Sequence, residues 1–81
     1  VRERLAETIL ILEDYYGVEK DGVTLNVSMT REEIASMVGT ATETVIRMFS
    51  DLQKEKLIGL NVRKIKILDH PALVKAANIF D

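Results

Sequence analysis

The stretch from Thr30 to Ile58 reads TREEIASMVGTATETVIRMFSDLQKEKLI and contains two helical patterns separated by a three-residue break that begins at Gly39. In both patterns the apolar residues recur every three or four positions, which is the period of an amphipathic α-helix. They are Ile34, Ala35 and Val38 in the first pattern and Val45, Met48, Phe49 and Leu52 in the second. Because such stripes are buried in a folded domain, we expect two helices that pack together through these faces.

Capping signals mark where the two helices begin. Thr30 with Glu33, and Thr40 with Glu43, each fit a capping box, in which the hydroxyl accepts from an N–H of the first turn and the glutamate accepts from the cap's own amide. Gly39 between them can adopt a positive φ without steric cost. The pattern therefore predicts a helix-turn-helix pair over about residues 30–55, with the second helix over about residues 41–54.

Burial of the apolar stripe determines which residues of the second helix stay outside. The spacing i, i+1, i+4, i+5, i+8 places five residues on the opposite face: Thr42, Glu43, Ile46, Arg47 and Ser50. A helix with such a polar, cationic face is suited to the major groove of DNA. Arg47 can donate two N–H groups to guanine O6 and N7, and Glu43 can accept from a cytosine N4 amino group.

Each of these two residues also has an interpretation without DNA. Arg47 can form a surface ion pair with Glu43 or Asp51, and Glu43 can serve as a member of a capping box only. For Glu43 the two roles are compatible, because a capping residue can also face the groove.

The flanking segments complete the predicted architecture. Residues 1–16 predict an amphipathic helix with Leu5, Ile9, Leu12 and Tyr16 on its inner side and an end at Gly17. A turn at residues 20–22 precedes residues 23–27, where apolar and polar residues alternate as in a short strand. Residues 58–62 and 64–68 predict a β-hairpin, or wing, over about residues 57–68.

A final short helix is predicted from Asp69, His70 and Pro71 onward, because proline is favoured in the first turn of a helix. Its buried side would carry Ala72, Leu73, Ala76 and Ala77. The element order predicts an α+β, mainly α fold: a winged helix-turn-helix with a three-helix core, a small antiparallel β-hairpin wing and a short C-terminal helix.

Length and composition exclude several classes of function. The 81 residues make one domain, 1–81, without material for a deep substrate cavity. There are no cysteines and one histidine, which argues against a disulfide framework, a thiolate zinc site or a metal cluster. No convergent nucleophile, base and phosphate loop is evident, so no enzyme is expected.

No membrane span and no signal peptide are evident, so the protein is expected in the cytoplasm. Because the first residue already lies in a helical pattern, we expect a C-terminal fragment of a longer protein.

The charge distribution matters more than the net charge of −2. Residues 1–33 hold four basic and eight acidic side chains, whereas residues 44–66 hold six basic and two acidic ones, a local balance of +4. Phosphate neutralisation by Lys and Arg supplies most non-specific affinity for nucleic acid, so the second region is the expected contact surface.

The stretch from Thr30 to Ile58 resembles the DNA-binding signature of the cyclic AMP receptor protein/FNR (Crp/Fnr) family of bacterial transcription regulators, and the preceding D-G-x-x-L-x-V-x-x-T at residues 21–30 fits as well. In the family's E-T-V-x-R pattern the glutamate and arginine read base edges, which implies that role for Glu43 and Arg47. Many relatives have arginine where this chain has Thr42, so the resemblance implies a different operator base there, with a thymine methyl contact as one option. Ile46 stands where relatives often have a small or polar residue, and it is either a second thymine-methyl contact or a chance apolar residue on the surface.

Phosphate contacts are expected around the second helix of the pair, which we call the recognition helix, and at the wing. Such contacts fix the position of the protein along the DNA without reading its sequence. The expected residues are Arg31, Thr40, Ala41, Thr44, Arg63 and Lys64. Wing cations, Lys66 among them, can instead guard an edge strand against aggregation, and Lys54 and Lys56 suit the C-terminal end of a helix dipole. Tyr15 and Tyr16 are expected in core or interface packing, and His70 in a turn.

The resemblance also implies partners and an effector. It implies a homodimer on a pseudo-palindromic double-stranded DNA operator, with recognition helices about 34–36 Å apart. RNA polymerase is a further partner that the resemblance allows. A cyclic nucleotide or another small effector would bind an upstream β-roll sensor, and no cofactor is expected in this domain. The alternative is a winged-helix protein-interaction module without DNA binding, which is supported by the net negative charge and by Thr42 in place of an arginine.

Overall fold

The computed structural model describes residues 2–61 and 63–77, so Val62, predicted to end the first wing strand, lies outside the described residues. The elements, in chain order, are α1 (Arg2–Tyr16), α2 (Arg31–Val38), α3 (Thr42–Lys54), β1 (Ile58–Asn61), β2 (Lys64–Ile67) and α4 (His70–Ala77). Four helices and one antiparallel two-stranded sheet give the predicted winged helix-turn-helix, with residues 39–41 forming the three-residue break.

The core lies between the four helices, the segment after α1 and the inner side of the wing. The predicted stripes on α2 and α3 are buried, apart from Met48, which is only partly so. The largest fully buried side chains are Phe49, Leu5, Ile9, Leu25, Ile34, Leu52, Ile58, Leu73 and Val45. They come from every helix, from β1 and from the segment after α1, so removing any one element would expose part of the same core.

The last turn of α1 departs from the prediction. Gly17 ends the helix as expected, with φ of 70° and its N–H donating to the carbonyl of Glu13 over 2.8 Å. Tyr16, however, is 52% exposed and Tyr15 is 81% exposed, so neither packs in the core, and the other option, packing in an interface, stays a prediction. The buried stripe stops at Leu12, because the chain beyond Gly17 turns towards the wing and does not cover the end of α1.

The predicted short strand over residues 23–27 is wrong, because this segment does not form a regular strand. Thr24 and Leu25 are both buried, so the alternation of inner and outer side chains is broken. The segment forms only isolated bridges, in which Leu25 N–H donates to the carbonyl of Ile65 and Ile67 N–H to that of Val23, both over 2.8 Å. Thr24 turns inward because its hydroxyl and its amide both donate to the carboxylate of Asp21.

The wing and α4 follow the predicted order. Ile58 pairs with Ile67 and Asn61 with Lys64 in the hairpin register. The Asp69 carboxylate accepts from the amide of Ala72 over 3.1 Å, so Asp69 caps α4. His70 is therefore the first residue of this helix and not part of a turn, and α4 packs on α1. None of the helices in the described ranges is long and apolar enough to cross a membrane.

Candidate nucleic-acid interface

The turn between α2 and α3 sets the angle between these two helices. Gly39 has φ of 85° and ψ of 38°, which is the left-handed conformation that residues with a Cβ atom disfavour. The carbonyl of Ala35 accepts both the Gly39 amide, over 2.8 Å, and the Thr40 amide, over 3.1 Å. Because Ala35 is itself almost fully buried, these two hydrogen bonds to its carbonyl fix the turn to the core.

Only the first of the two predicted capping boxes forms. The Thr30 side chain accepts from the amide of Glu33, and the Glu33 carboxylate accepts from the amide of Thr30. This second bond lowers the pKa of Glu33.

The predicted box of Thr40 and Glu43 is wrong. The N-cap of α3 is Ala41, which offers no side-chain hydrogen bond, and its carbonyl accepts from the amides of Thr44 and Val45. The Thr40 amide donates instead to the carbonyl of Ala35, so α3 begins one residue later than it would with Thr40 as its N-cap. Glu43 is consequently exposed and does not act as a cap.

The outer face of α3 has the predicted composition. Glu43, Arg47 and Ser50 are exposed, Ile46 is 52% exposed, and Thr42 is half-buried at the start of the helix. No ion pair of Arg47 with Glu43 or Asp51 is found in the described part of the chain. The guanidinium and the neighbouring carboxylate therefore both face outward, on the side opposite Val45, Phe49 and Leu52.

Arg31 lies beside this face and contacts an aromatic ring. Its guanidinium carbon stands 4.8 Å from the centre of the Phe49 ring, within the range of a cation–π interaction. Phe49 is 1% exposed, so the ring that orients Arg31 is part of the core. The first residue of α2 thus holds a cation next to α3.

The cations of the wing are less free than the sequence indicates. Lys64 forms an ion pair with Glu19 at 2.5 Å, and Lys66 lies close enough to Asp21 to contribute to the lowered pKa of that carboxyl. Arg63 is exposed at the tip of the hairpin with φ of 56°. The sequence alone does not indicate Glu19 and Asp21 as partners of these lysines, because they lie more than 40 residues away along the chain.

The remaining predicted phosphate contacts lie at the beginning of α3. Ala41 is exposed, whereas Thr40 and Thr44 are half-buried. The structure therefore gathers Thr40, Ala41 and Thr44 at the beginning of α3, places Arg31 farther along that helix beside Phe49, and leaves Arg63 and Lys64 on the wing. Their contacts with phosphate stay a prediction.

This arrangement of helices, turn and wing matches a known family over most of the chain. The model of the Crp-like helix-turn-helix domain matches residues 3–76. The chain belongs to the Crp-like helix-turn-helix domain family. It is the DNA-binding type of domain that forms the output end of Crp/Fnr transcription regulators.

Relatives with known names agree with this assignment. The Crp-like domain is 32% identical to the global nitrogen regulator of Synechococcus elongatus, over 86% of the chain and 32% of that protein. It is 36% identical to the transcriptional regulatory protein btr of Bordetella pertussis, over 88% of the chain and 30% of that protein. The chain thus spans about a third of the length of these regulators.

A solved structure gives the same result for the fold. A transcriptional regulator of the CRP/FNR family from Thermus thermophilus superposes with a TM-score of 0.86 at 30% identity, over 96% of the Crp-like domain and 40% of that protein. The names of the relatives describe transcription regulators, and they give no support to the alternative of an interaction module without DNA binding.

Proposed function

We propose that this Crp-like domain reads double-stranded operator DNA by placing α3 in the major groove. The observation that carries the proposal is the outward face of α3, where Arg47 has no ion pair within the described residues and lies one helical turn after Glu43. Arg47 binds guanine O6 and N7, and Glu43 accepts from a cytosine amino group and orients the guanidinium. Each such contact contributes about 1–3 kcal/mol of discrimination between bases.

Thr42 and Ile46 are assigned to neighbouring base edges. Ile46 is 52% exposed, so its side chain is available to contact a thymine methyl group. Thr42 faces the base that an arginine reads in many relatives, so the preferred operator differs at this position.

Phosphate contacts position the domain on both sides of the groove. Arg31 begins α2, and Arg63 and Lys64 lie on the wing. Thr40 and Ala41 lie in the turn before α3, and Thr44 lies in its first turn. Lys64 must exchange Glu19 for a phosphate, so its net contribution to affinity is smaller than that of Arg63.

The functional unit is a homodimer on a pseudo-palindromic operator in the cytoplasm, with a sensor outside these residues that binds a cyclic nucleotide or another small effector. RNA polymerase is its partner in transcription. The domain itself acts by binding and not by catalysis. This assignment rests on the family to which the chain belongs, whose named members are transcription regulators.

Selection of bound sites from random DNA tests the proposal most directly. A dimeric protein that carries this domain, with candidate effectors present, should enrich a two-fold symmetric sequence, and Arg47→Ala should abolish the enrichment. The affinity should also fall steeply with salt concentration, because bound phosphates release counterions. Enrichment that persists in the Arg47→Ala protein, or binding insensitive to salt, would contradict the proposed mode.

A further inference from the structure

A shallow trough runs between the outer sides of α1 and α4, with a volume of about 590 Å³. The first helix contributes Glu7, Leu10, Ile11, Glu13 and Asp14, and the last contributes His70 and Val74. None of these residues belongs to α2, α3 or the wing. The trough is therefore separate from the face that we assign to DNA.

The floor of the trough comes from an unusual run of apolar residues in α1. Residues 9–12 read Ile-Leu-Ile-Leu, so apolar side chains point to all sides of the helix there. Ile9 and Leu12 are buried in the core, whereas Leu10 is only partly buried and Ile11 is 44% exposed. A helix that is apolar on all sides is normally covered on all sides. Among the described residues, however, α4 covers this part of α1 only in part.

Acidic groups stand at both ends of this apolar floor. Glu7 and Asp14 are seven residues apart, which is about 10.5 Å along a helix axis. Neither carboxylate has a hydrogen bond or an ion pair within residues 2–61 and 63–77. Glu13 differs, because its carboxylate lies 3.0 Å from Nε2 of His70 and so already has a partner.

The charges decide what can occupy the trough. Carboxylates repel the phosphates of nucleic acids and of anionic lipids, and a second copy of the same trough would bring like charges together. A cationic partner is complementary. A helix laid in the trough repeats every two turns with the same spacing of about 10.5 Å, so two basic residues seven positions apart meet Glu7 and Asp14 together.

We infer that the trough between α1 and α4 is a docking site for a basic amphipathic helix of a partner protein. Apolar side chains of that helix cover Leu10, Ile11 and Val74, and a Lys or Arg at each end faces Glu7 or Asp14. This docking does not require DNA binding, and its partner can bind while α3 occupies the major groove.

A synthetic helical peptide tests the inference on the Crp-like domain itself. The peptide carries Lys at positions 1 and 8 and Leu at positions 4 and 5 of its contact face, with a tryptophan reporter, since the chain contains no tryptophan. Its fluorescence should change saturably as the domain is added. A control peptide with Glu in place of both Lys should bind at least about tenfold more weakly.

Two sets of variants locate the binding. Ile11→Ser should weaken the Lys peptide about tenfold, whereas Ile46→Ser, a similarly exposed isoleucine on α3, should leave its affinity unchanged. Glu7→Lys combined with Asp14→Lys should reverse the preference, so that the Glu peptide binds more tightly. Thermal unfolding of each variant establishes that it is folded. Equal affinity for both peptides, or equal effects of Ile11→Ser and Ile46→Ser, would overturn the inference.

Discussion

The guanidinium of Arg2 forms a two-pronged contact with the carboxylate of Glu55, with distances of 2.6 Å and 2.7 Å. These residues are 53 positions apart, and the contact joins the first turn of α1 to the C-cap of the recognition helix. The hydrogen bond raises the pKa of Arg2 and lowers that of Glu55. The recognition helix is therefore held at both ends, by the Ala35 carbonyl near its beginning and by Arg2 at its end.

A charge exchange tests this contact. Arg2→Glu and Glu55→Arg should each lower the Tm slightly, because each places like charges together, and Arg2→Glu also repels the nearby Asp51. The double variant should recover part of the loss. Thermal unfolding followed by circular dichroism measures the coupling, and strictly additive losses would mean that the two side chains do not stabilise each other.

Arginines on α3 and on the wing should differ in what they do to DNA affinity. Arg47→Ala should remove about 1–3 kcal/mol of preference for the operator over its variants, because a base reader is lost. Arg63→Ala should weaken all sequences alike and reduce the salt slope by about 1, because only a phosphate contact is lost. Titrations of an operator and of a scrambled duplex at several salt concentrations separate the two. A uniform loss in the Arg47→Ala protein would move that residue to the phosphates.

Gly39→Ala should destabilise the domain by about 1–2 kcal/mol, because a residue with a Cβ is strained at φ of 85°. Space is not the limitation, since the nearest atom to an added Cβ is Nη1 of Arg4 at 3.9 Å. Gly59→Ala is the matched control: its φ is not positive, and its Cβ would meet Leu68 at an ordinary 3.5 Å. Urea denaturation measures both, and equal losses would rule out backbone strain as the cause.

The Asp21 carboxylate should govern part of the stability in acid. Hydrogen bonds from the Thr24 hydroxyl, then from the amides of Thr24 and Val23, lower the pKa of Asp21 from 3.8 to about 2. A carboxyl with a depressed pKa in the folded state stabilises the fold above its ordinary pKa, and this contribution is lost as the pH falls from about 3.8 to about 2.

Asp21→Asn should therefore be less stable than the wild-type domain at neutral pH, with a difference that shrinks as the pH falls through this window. Asp14→Asn is the control, because this exposed carboxylate forms no hydrogen bond within the described ranges. Unfolding free energies measured at pH 6 and pH 3 give the comparison. A difference for Asp21→Asn that does not change with pH would show that hydrogen-bond geometry alone, and not ionisation, is responsible.

The sequence by itself determined the features that depend on neighbours along the chain. The stripes of α2 and α3, the turn at Gly39, the capping box at Thr30 and the hairpin all follow from residues within one or two helical turns of each other, and the structure has them. The same local information determined which side of α3 faces outward, because burying Val45, Phe49 and Leu52 leaves Arg47 and Glu43 on the opposite side.

Tertiary structure decided what depends on distant parts of the chain. The amide of Thr40 could serve either turn, and its bond to Ala35 moved the cap of α3 to Ala41. Tyr16 continues an apolar stripe that the core does not reach, and Lys64 acquires Glu19 as a partner across 45 residues. The trough between α1 and α4 likewise exists only once the two helices pack. Periodicity records which face of a helix is apolar, but it does not record which distant group comes to lie against that face.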